Sequence, residues 1–279
     1  MTIESTGGRS KPRLLVFTDL DGTLLNHDDY SWAGAADALA RLKADGIPLI
    51  LVSSKTRPEM EALRRDLGND HPFVVENGGA IYLPSESRKG PPLERIVLGV
   101  DRSSILEVLT QLREERNFQF EGFADWTAEE VARRTGLSIS AAEAARQRDA
   151  TEPLLWTDDR PVEELSRALE QEGLRLVAGG RFLHAMGPFD KGLAVRWLIE
   201  RYEDRHGTVT TVAVGDSPND IEMLRSAHFA VVLPRVGGPS LTDEQVSRDG
   251  RSPQVLRADR SGAAGWQQAM DELFERLNV

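Results

Sequence analysis

Apolar runs and helix-period patterns take turns along much of this chain. From Arg13 to about Leu83 the order is RLLVFT, AADALARLKADG, IPLILVSS, RPEMEALRRDLG and PFVVE. Strand-like runs separated by amphipathic helices predict parallel βαβ units, since a parallel pair needs a crossover long enough for a helix. The run IPLILV does not alternate apolar with polar, as expected of a strand covered on both faces. The stretch Ser85 to Pro92, SESRKGPP, is polar and rich in turn formers and predicts a crossing into another unit.

Beyond it the pattern is less regular. LERIVLGV is followed by a helical stretch from about Ser103 to Arg116, NFQFEGF, two helical stretches between Thr127 and Arg148, PLLW, a helix near Val162 to Glu172, and LRLVAGGRFLHAMG. Short strands mixed with helices predict a small α+β unit. After Gly187 the earlier rhythm resumes with KGLAVRWLIERYEDRHG, TVTTVAVGD, PNDIEMLRSA, FAVVL and GWQQAMDELFERL. The expected fold is therefore α/β: a doubly wound, Rossmann-like parallel sheet built from residues 13–84 and 187–279, with residues 85–186 inserted as a smaller α+β domain and residues 1–12 a flexible tail. The loop from Pro234 to Gln254 is polar and turn-rich and reads as surface.

Composition narrows the function classes. The chain has 279 residues, 40% of them apolar, a net charge of -11 and a pI near 5.1. No basic block with interleaved aromatics is present, which argues against a nucleic-acid partner. The absence of cysteine excludes disulfides and thiolate metal sites and suits the cytoplasm. The polar N-terminal stretch and the lack of any apolar run near ~20 residues predict neither a signal peptide nor a membrane span.

In a doubly wound sheet, ligands bind outside the carboxyl ends of the strands, so chemistry is sought there. The first such end, FTDLDGTLL, carries Asp19 and Asp21, and residues two apart on an extended chain face the same side. Two close carboxylates need a cation or a shared proton, and Mg2+ with oxygen ligands meets that need. A calcium loop does not fit, because Leu24 and Tyr30 stand where it requires Gly and Glu. An ordinary Asp-Gly turn is the bland alternative. At the second end, LVSSKTRPE, a capping box explains Thr56, Pro58 and Glu59 and leaves Ser53, Ser54 and Lys55 for a phosphate cradle. At the third, Lys191 begins a helix, where a cation opposes the macrodipole and hints at an anion nearby; a solvated lysine is the alternative. The fourth end, VAVGDSPND, places Asp216 on no cap, while Ser217, Pro218 and Asp220 fit N-cap, N1 and N3. Together these residue types make up a kit for phosphoryl transfer through an aspartyl-phosphate.

As a set, DLDGT, the strand-end Ser53, Lys191 and GDSPND resemble the four motifs of the haloacid dehalogenase superfamily of phosphatases. The resemblance implies Asp19 as nucleophile, Asp21 as general acid and base, and Ser53 and Lys191 as holders of the phosphoryl group. It also implies Mg2+ bound by the Asp19 side chain, the Asp21 main-chain carbonyl and Asp216, with Asp220 close by. An insert placed after VVENGG is similar to the α/β cap of the sugar-phosphate subgroup. SSKTRPE, ENGGAIY, GFADWTAEEVARRTGL, RQRDATEP and GGRFLHAMGPFDKG further resemble the mannosyl-3-phosphoglycerate phosphatases of compatible-solute synthesis, with Ala150 where a larger residue is expected. That narrower likeness implies an acidic phosphorylated sugar-glycerate as substrate. Ser54, Lys55, Arg57, Asn77 and Arg148 are candidates to meet it, with Arg57 and Arg148 suited to a carboxylate, and Glu152 and His184 suited to sugar hydroxyls. Arg57 in a first turn and Arg148 late in a helix also fit solvated residues, and His184 fits a core histidine. Glucosyl-3-phosphoglycerate, a sugar phosphomutase activity and a non-catalytic sugar-phosphate binder are the alternatives.

Overall fold

The structure is a computed structural model that describes residues 13–85, 92–178, 181–247 and 252–279. The expected tail, most of the SESRKGPP crossing, Gly179–Gly180 and part of the Pro234–Gln254 loop lie outside the described residues. In chain order the elements are β1 Leu14–Thr18, α1 Ala36–Ala44, β2 Leu49–Val52, α2 Arg57–Leu67, β3 Phe73–Val75, β4 Ala80–Pro84, β5 Leu93–Val97, α3 Arg102–Arg116, β6 Phe120–Gly122, α4 Ala128–Thr135, α5 Ile139–Arg146 and β7 Thr151–Trp156. They continue with α6 Val162–Gln171, β8 Arg175–Ala178, β9 Leu183–Met186, α7 Lys191–His206, β10 Thr210–Gly215, α8 Ile221–Arg225, β11 Phe229–Val232, α9 Asp243–Val246, β12 Gln254–Arg257 and α10 Gly262–Leu277.

Among the described residues two compact units emerge, one within 13–49 and 198–279, the other within 50–197. In the first, β12, β11, β10 and β1 lie side by side in that order, every pair parallel. Every residue of β1 and β11 is buried, which is why their sequences read as unbroken apolar runs. Helix α10 buries Trp266, Met270, Leu273 and Phe274, spaced to share one face. The Trp266 indole N–H donates to Thr18 Oγ1 at 3.0 Å, so the last helix pins the end of the first strand. The polar loop also differs from its sequence reading. Thr242 and Gln245 form a capping box that starts α9, and Leu241 and Val246 are buried, so a short apolar anchor interrupts the polar stretch.

In the second unit β2 pairs with β3 in parallel, and β3, β4 and β5 continue antiparallel. A separate antiparallel sheet runs β6, β7, β9, β8. Its core joins Ile105, Leu109 and Leu112 of α3 to Leu165 and Leu169 of α6 and to Phe120 and Leu154. Each such side chain, fully buried, contributes roughly 1.5–3 kcal/mol of transfer free energy. Phe123, Trp126, Val131, Ala142 and Ala145 form another cluster, joining the loop after β6 to α4 and α5. Helix α2 opens on the expected capping box, Thr56 N–H donating to Glu59 Oε2 at 2.8 Å, and closes on Gly68 in the left-handed region. Among the described residues no helix is long and apolar enough to cross a membrane.

Candidate active site

In the first unit the acids lie where strands give out. Strand β1 ends at Thr18, and the Asp19 N–H donates to Val214 O at 2.9 Å, the last ladder contact with β10. The chain then turns: Thr23 and Leu25 N–H both donate to Leu20 O, and Gly22 takes φ +81°. This turn corrects the face argument made from sequence. The period of two lapses at the strand end, so the carboxylate cluster is Asp19, Asp216 and Asp220, while the half-buried Asp21 side chain stands outside it. Ligand oxygens of the three lie within 4.8 Å of one another, and all three residues are buried.

Local structure fixes the cluster. Asp220 Oδ2 accepts from the Asp216 N–H at 3.1 Å, the Ser217 N–H at 3.0 Å and Ser217 Oγ at 3.1 Å, the capping box read from SPND. Capping therefore occupies one oxygen of Asp220 and holds the backbone of Asp216. Thr23 Oγ1 donates to Asp216 Oδ1 at 3.4 Å. A Cβ on Gly22 would stand 3.0 Å from Asp216 Oδ2, so the bare glycine admits that carboxylate to the turn. Three buried like charges are costly without a cation or protons between them. The donors are all hard oxygens, which fit Mg2+ and not a soft metal.

The second unit carries the remaining candidates. Ser53, just after β2, is buried; its N–H donates to Val74 O at 3.1 Å and its Oγ accepts from the Lys55 N–H at 3.2 Å. Ser54 is exposed and Lys55 half-buried. Arg57 is exposed and pairs with Glu61 at 2.9 Å, which holds its pKa up, as its place in a first turn allowed. Asn77 has a left-handed backbone and donates its N–H to Ser53 O at 2.8 Å. Lys191 begins α7 as expected and is 0% exposed, which removes the solvated-lysine alternative. Asp190 Oδ1 accepts the Leu193 N–H at 2.8 Å, placing a carboxylate at the same helix start.

Arg148 lies beyond the end of α5, not within a helix, and its side chain is only 7% exposed. Its Nε donates to Thr151 Oγ1 at 2.7 Å, Nη1 to Ala145 O at 3.2 Å and Nη2 to Ser54 O at 3.4 Å. Glu152 is buried, with Oε2 held by Arg102 at 2.7 Å and Oε1 by the Ala124 N–H at 2.7 Å. Burial raises its pKa against the pull of Arg102. Ala150 packs with Met186 and Phe189 in a small apolar cluster.

His184, half-buried on β9, is held neutral: burial first, then Arg148, push its pKa down to about 4. An unfolded chain protonates this ring from pH 6.5 downward and the folded chain does not until about pH 4. Stability is therefore full above pH 6.5 and falls as the pH drops towards 4, by up to about 3 kcal/mol from this group. Thermal melts across that window are expected to show a shallower decline for His184→Gln than for the parent; identical slopes would contradict the assignment.

Sequence reasoning passed over Thr18, Thr23 and Trp266, which brace the acids, and Glu76, which is 0% exposed. A glutamate closing the apolar run PFVVE just ahead of Asn-Gly-Gly was the available signal for Glu76.

Comparison with known proteins places the chain as a whole. A family described as haloacid dehalogenase-like hydrolase matches residues 16–173, and one described as sucrose-6F-phosphate phosphohydrolase matches residues 159–273. Two curated relatives are each named glucosyl-3-phosphoglycerate/mannosyl-3-phosphoglycerate phosphatase. That of Persephonella marina is 38% identical over 273 residues, covering 95% of this chain and 98% of its own. That of Methanococcoides burtonii is 36% identical over 276 residues, with the same coverages of 95% and 98%. Among solved structures, a haloalkanoate-superfamily phosphatase of Bacteroides thetaiotaomicron superposes with a TM-score of 0.63 at 16% identity, covering 98% of this chain and 99% of that one. A Thermotoga maritima protein superposes with a TM-score of 0.64 at 19% identity, covering 94% and 97%. At such identities the two structures speak for the fold alone.

Proposed function

We propose, for a chain that belongs to the haloacid dehalogenase-like hydrolases and is a phosphoric monoester hydrolase, that its substrates are mannosyl- and glucosyl-3-phosphoglycerate. The full-length likeness to relatives bearing that printed name carries the choice of substrate. The buried cluster of Asp19, Asp216 and Asp220 supports the chemistry.

In this reading Asp19 attacks phosphorus and takes the phosphoryl group, the P–O bond to the glycerate breaks, and Asp21 protonates the departing oxygen. Asp21 then accepts a proton from the water that cleaves the aspartyl-phosphate, which returns Asp19 and frees phosphate. Ser53 and Lys191 hold the phosphoryl oxygens, the lysine offsetting their charge. Asp19, Asp216 and the Asp21 main-chain carbonyl would hold Mg2+, with Asp220 fixing Asp216. The cation, when bound, supplies neutralisation of charge on the transferring group. Arg148 meets the glycerate carboxylate, and residues 85–186 form the cap that reads the sugar, with His184 and Glu152 on its sheet. The product, a glycosylglycerate, is a neutral sugar joined to a small acid and suits a compatible solute in the cytoplasm.

Phosphate release from mannosyl-3-phosphoglycerate, glucosyl-3-phosphoglycerate, sucrose and trehalose phosphates and simple sugar phosphates tests this. The two glycosyl-phosphoglycerates are expected to lead the panel, and EDTA to abolish release until Mg2+ is restored. Equal rates across the panel would overturn the substrate, and rates indifferent to EDTA the metal. Isomerised sugar phosphate without free phosphate would point instead to a mutase.

A further inference from the structure

The buried Glu76 is used by no step above, yet the chain adopts a costly conformation to place it. Glu76, Asn77 and Gly78 have φ of +52°, +58° and +104°, three successive left-handed residues of which only the last is glycine. A non-glycine residue there is strained, and a buried carboxylate is costly unless it is fully bonded. The bonds obtained are extensive. The Glu76 N–H donates to Lys55 O at 3.0 Å and the Asn77 N–H to Ser53 O at 2.8 Å, so the backbone braces the loop after β2. The carboxylate reaches another segment: Oε1 accepts from the Asp149 N–H at 2.5 Å, and Oε2 from the Ala150 N–H at 3.2 Å and Thr151 Oγ1 at 2.5 Å.

The last contact sets a direction. A carboxylate only accepts, so the Thr151 hydroxyl spends its proton on Glu76 and offers a lone pair to Arg148 Nε, 2.7 Å away. Arg148 Nε also stands 3.5 Å from Glu76 Oε2, and an Nη2 N–H is tied to Ser54 O in the loop that Glu76 braces. The guanidinium is thus oriented through one relay, Arg148 to Thr151 to Glu76, with its charge balanced at the far end. Three of its five N–H donors are spent on the protein, which leaves a rigid fork and not a swinging chain.

We propose that Glu76 is a positioning residue that sets Arg148 for the carboxylate of the glycerate, and so selects phosphoglycerate esters over simple phosphates. The inference rests on the reading that Arg148 meets that carboxylate.

The test compares KM and kcat for mannosyl-3-phosphoglycerate with those for p-nitrophenyl phosphate, which has no carboxylate, in Glu76→Gln, Thr151→Val and Arg148→Ala. Glu76→Gln keeps the shape but loses the charge and one acceptor. It is expected to raise KM for the glycosyl-phosphoglycerate at least tenfold, with kcat/KM for p-nitrophenyl phosphate within threefold of the parent. Thr151→Val breaks the same relay at its middle and is expected to shift the ratio in the same direction by a smaller factor; it carries the test if Glu76→Gln does not fold. Equal losses on both substrates, or no loss on either, would reduce Glu76 to a structural role and overturn the proposal. Arg148→Ala separates the premise. If it loses the two substrates equally, the reading of Arg148 is wrong; if its loss is selective while the relay variants show none, only the positioning role falls.

Discussion

Asp19→Asn, which removes the proposed nucleophile, is expected to lower phosphate release by at least about 10⁴-fold while the protein stays folded, because an amide oxygen is a poor nucleophile. The same substitution makes an opposite demand on stability. Asp19, Asp216 and Asp220 present oxygens within 4.8 Å of one another in buried positions. At an effective dielectric near 20, each like-charge pair at such a separation repels by roughly 3–4 kcal/mol before relaxation. Removing one charge in EDTA therefore relieves strain, and the melting temperature of the variant is expected to equal or exceed that of the parent. Added Mg2+ is expected to raise the melting temperature of the parent more than that of the variant, since a ligand that binds only the folded state stabilises it by mass action. Calorimetry with and without Mg2+ reads this apart from activity. Release within tenfold of the parent would remove Asp19 as the nucleophile, and a lower melting temperature in EDTA would remove the account of the cluster as mutually repelling.

Which parts of this site were legible in the sequence follows from the range of the interactions that form it. LLVFT is buried throughout, so its apolar run announced both the strand and the place where it ends. Thr56 with Glu59, and Ser217 with Asp220, are capping boxes closed within three residues, and both were read from their spacing. The convergence of Asp19 on Asp216 depends on β1 pairing with β10, almost two hundred residues later; it was foreseen only because both acids sit at strand ends of one kind of sheet. Asp21 shows the limit of that reasoning, since a period of two holds only as far as the strand does. The burial of Arg148, itself a candidate from sequence, and the partners of Glu76 were hidden for another reason. Each is a charged residue whose burial is made tolerable by groups more than seventy residues away, and no local pattern encodes a bond of that span. Helix α9 was hidden by composition, its buried Val246 and the buried Leu241 just ahead of it diluted in a polar loop.

Gly78→Ala is expected to produce the largest loss of any single methyl group added to this chain's second unit. Gly78 has φ +104°, and a Cβ there would stand 2.1 Å from Asp190 O, 2.5 Å from Asp190 C and 3.1 Å from Lys191 N. The obstructing atoms are backbone, so no rotamer change clears them. Asp190 O also accepts the Ala194 N–H at the first turn of α7, which ties it to the helix that Lys191 begins. The left-handed conformation costs an alanine about 1–2 kcal/mol and the overlap about 1–3 kcal/mol more, so a total loss of roughly 3 kcal/mol or greater is expected. Part of the clash is relieved only by moving the start of α7, and under the proposed role of Lys191 in holding the phosphoryl group a displacement near 1 Å costs about 10²-fold in rate. Gly136→Ala separates the two effects: Gly136 has φ +83° with nothing within 4 Å of its Cβ position, so it carries the conformational cost alone. Gly136→Ala is expected to lose about 1–2 kcal/mol with kcat unchanged, whereas folded Gly78→Ala loses kcat as well. If the two variants matched in kcat at temperatures where both are folded, the close approach of Gly78 to α7 would serve stability and not the placing of Lys191.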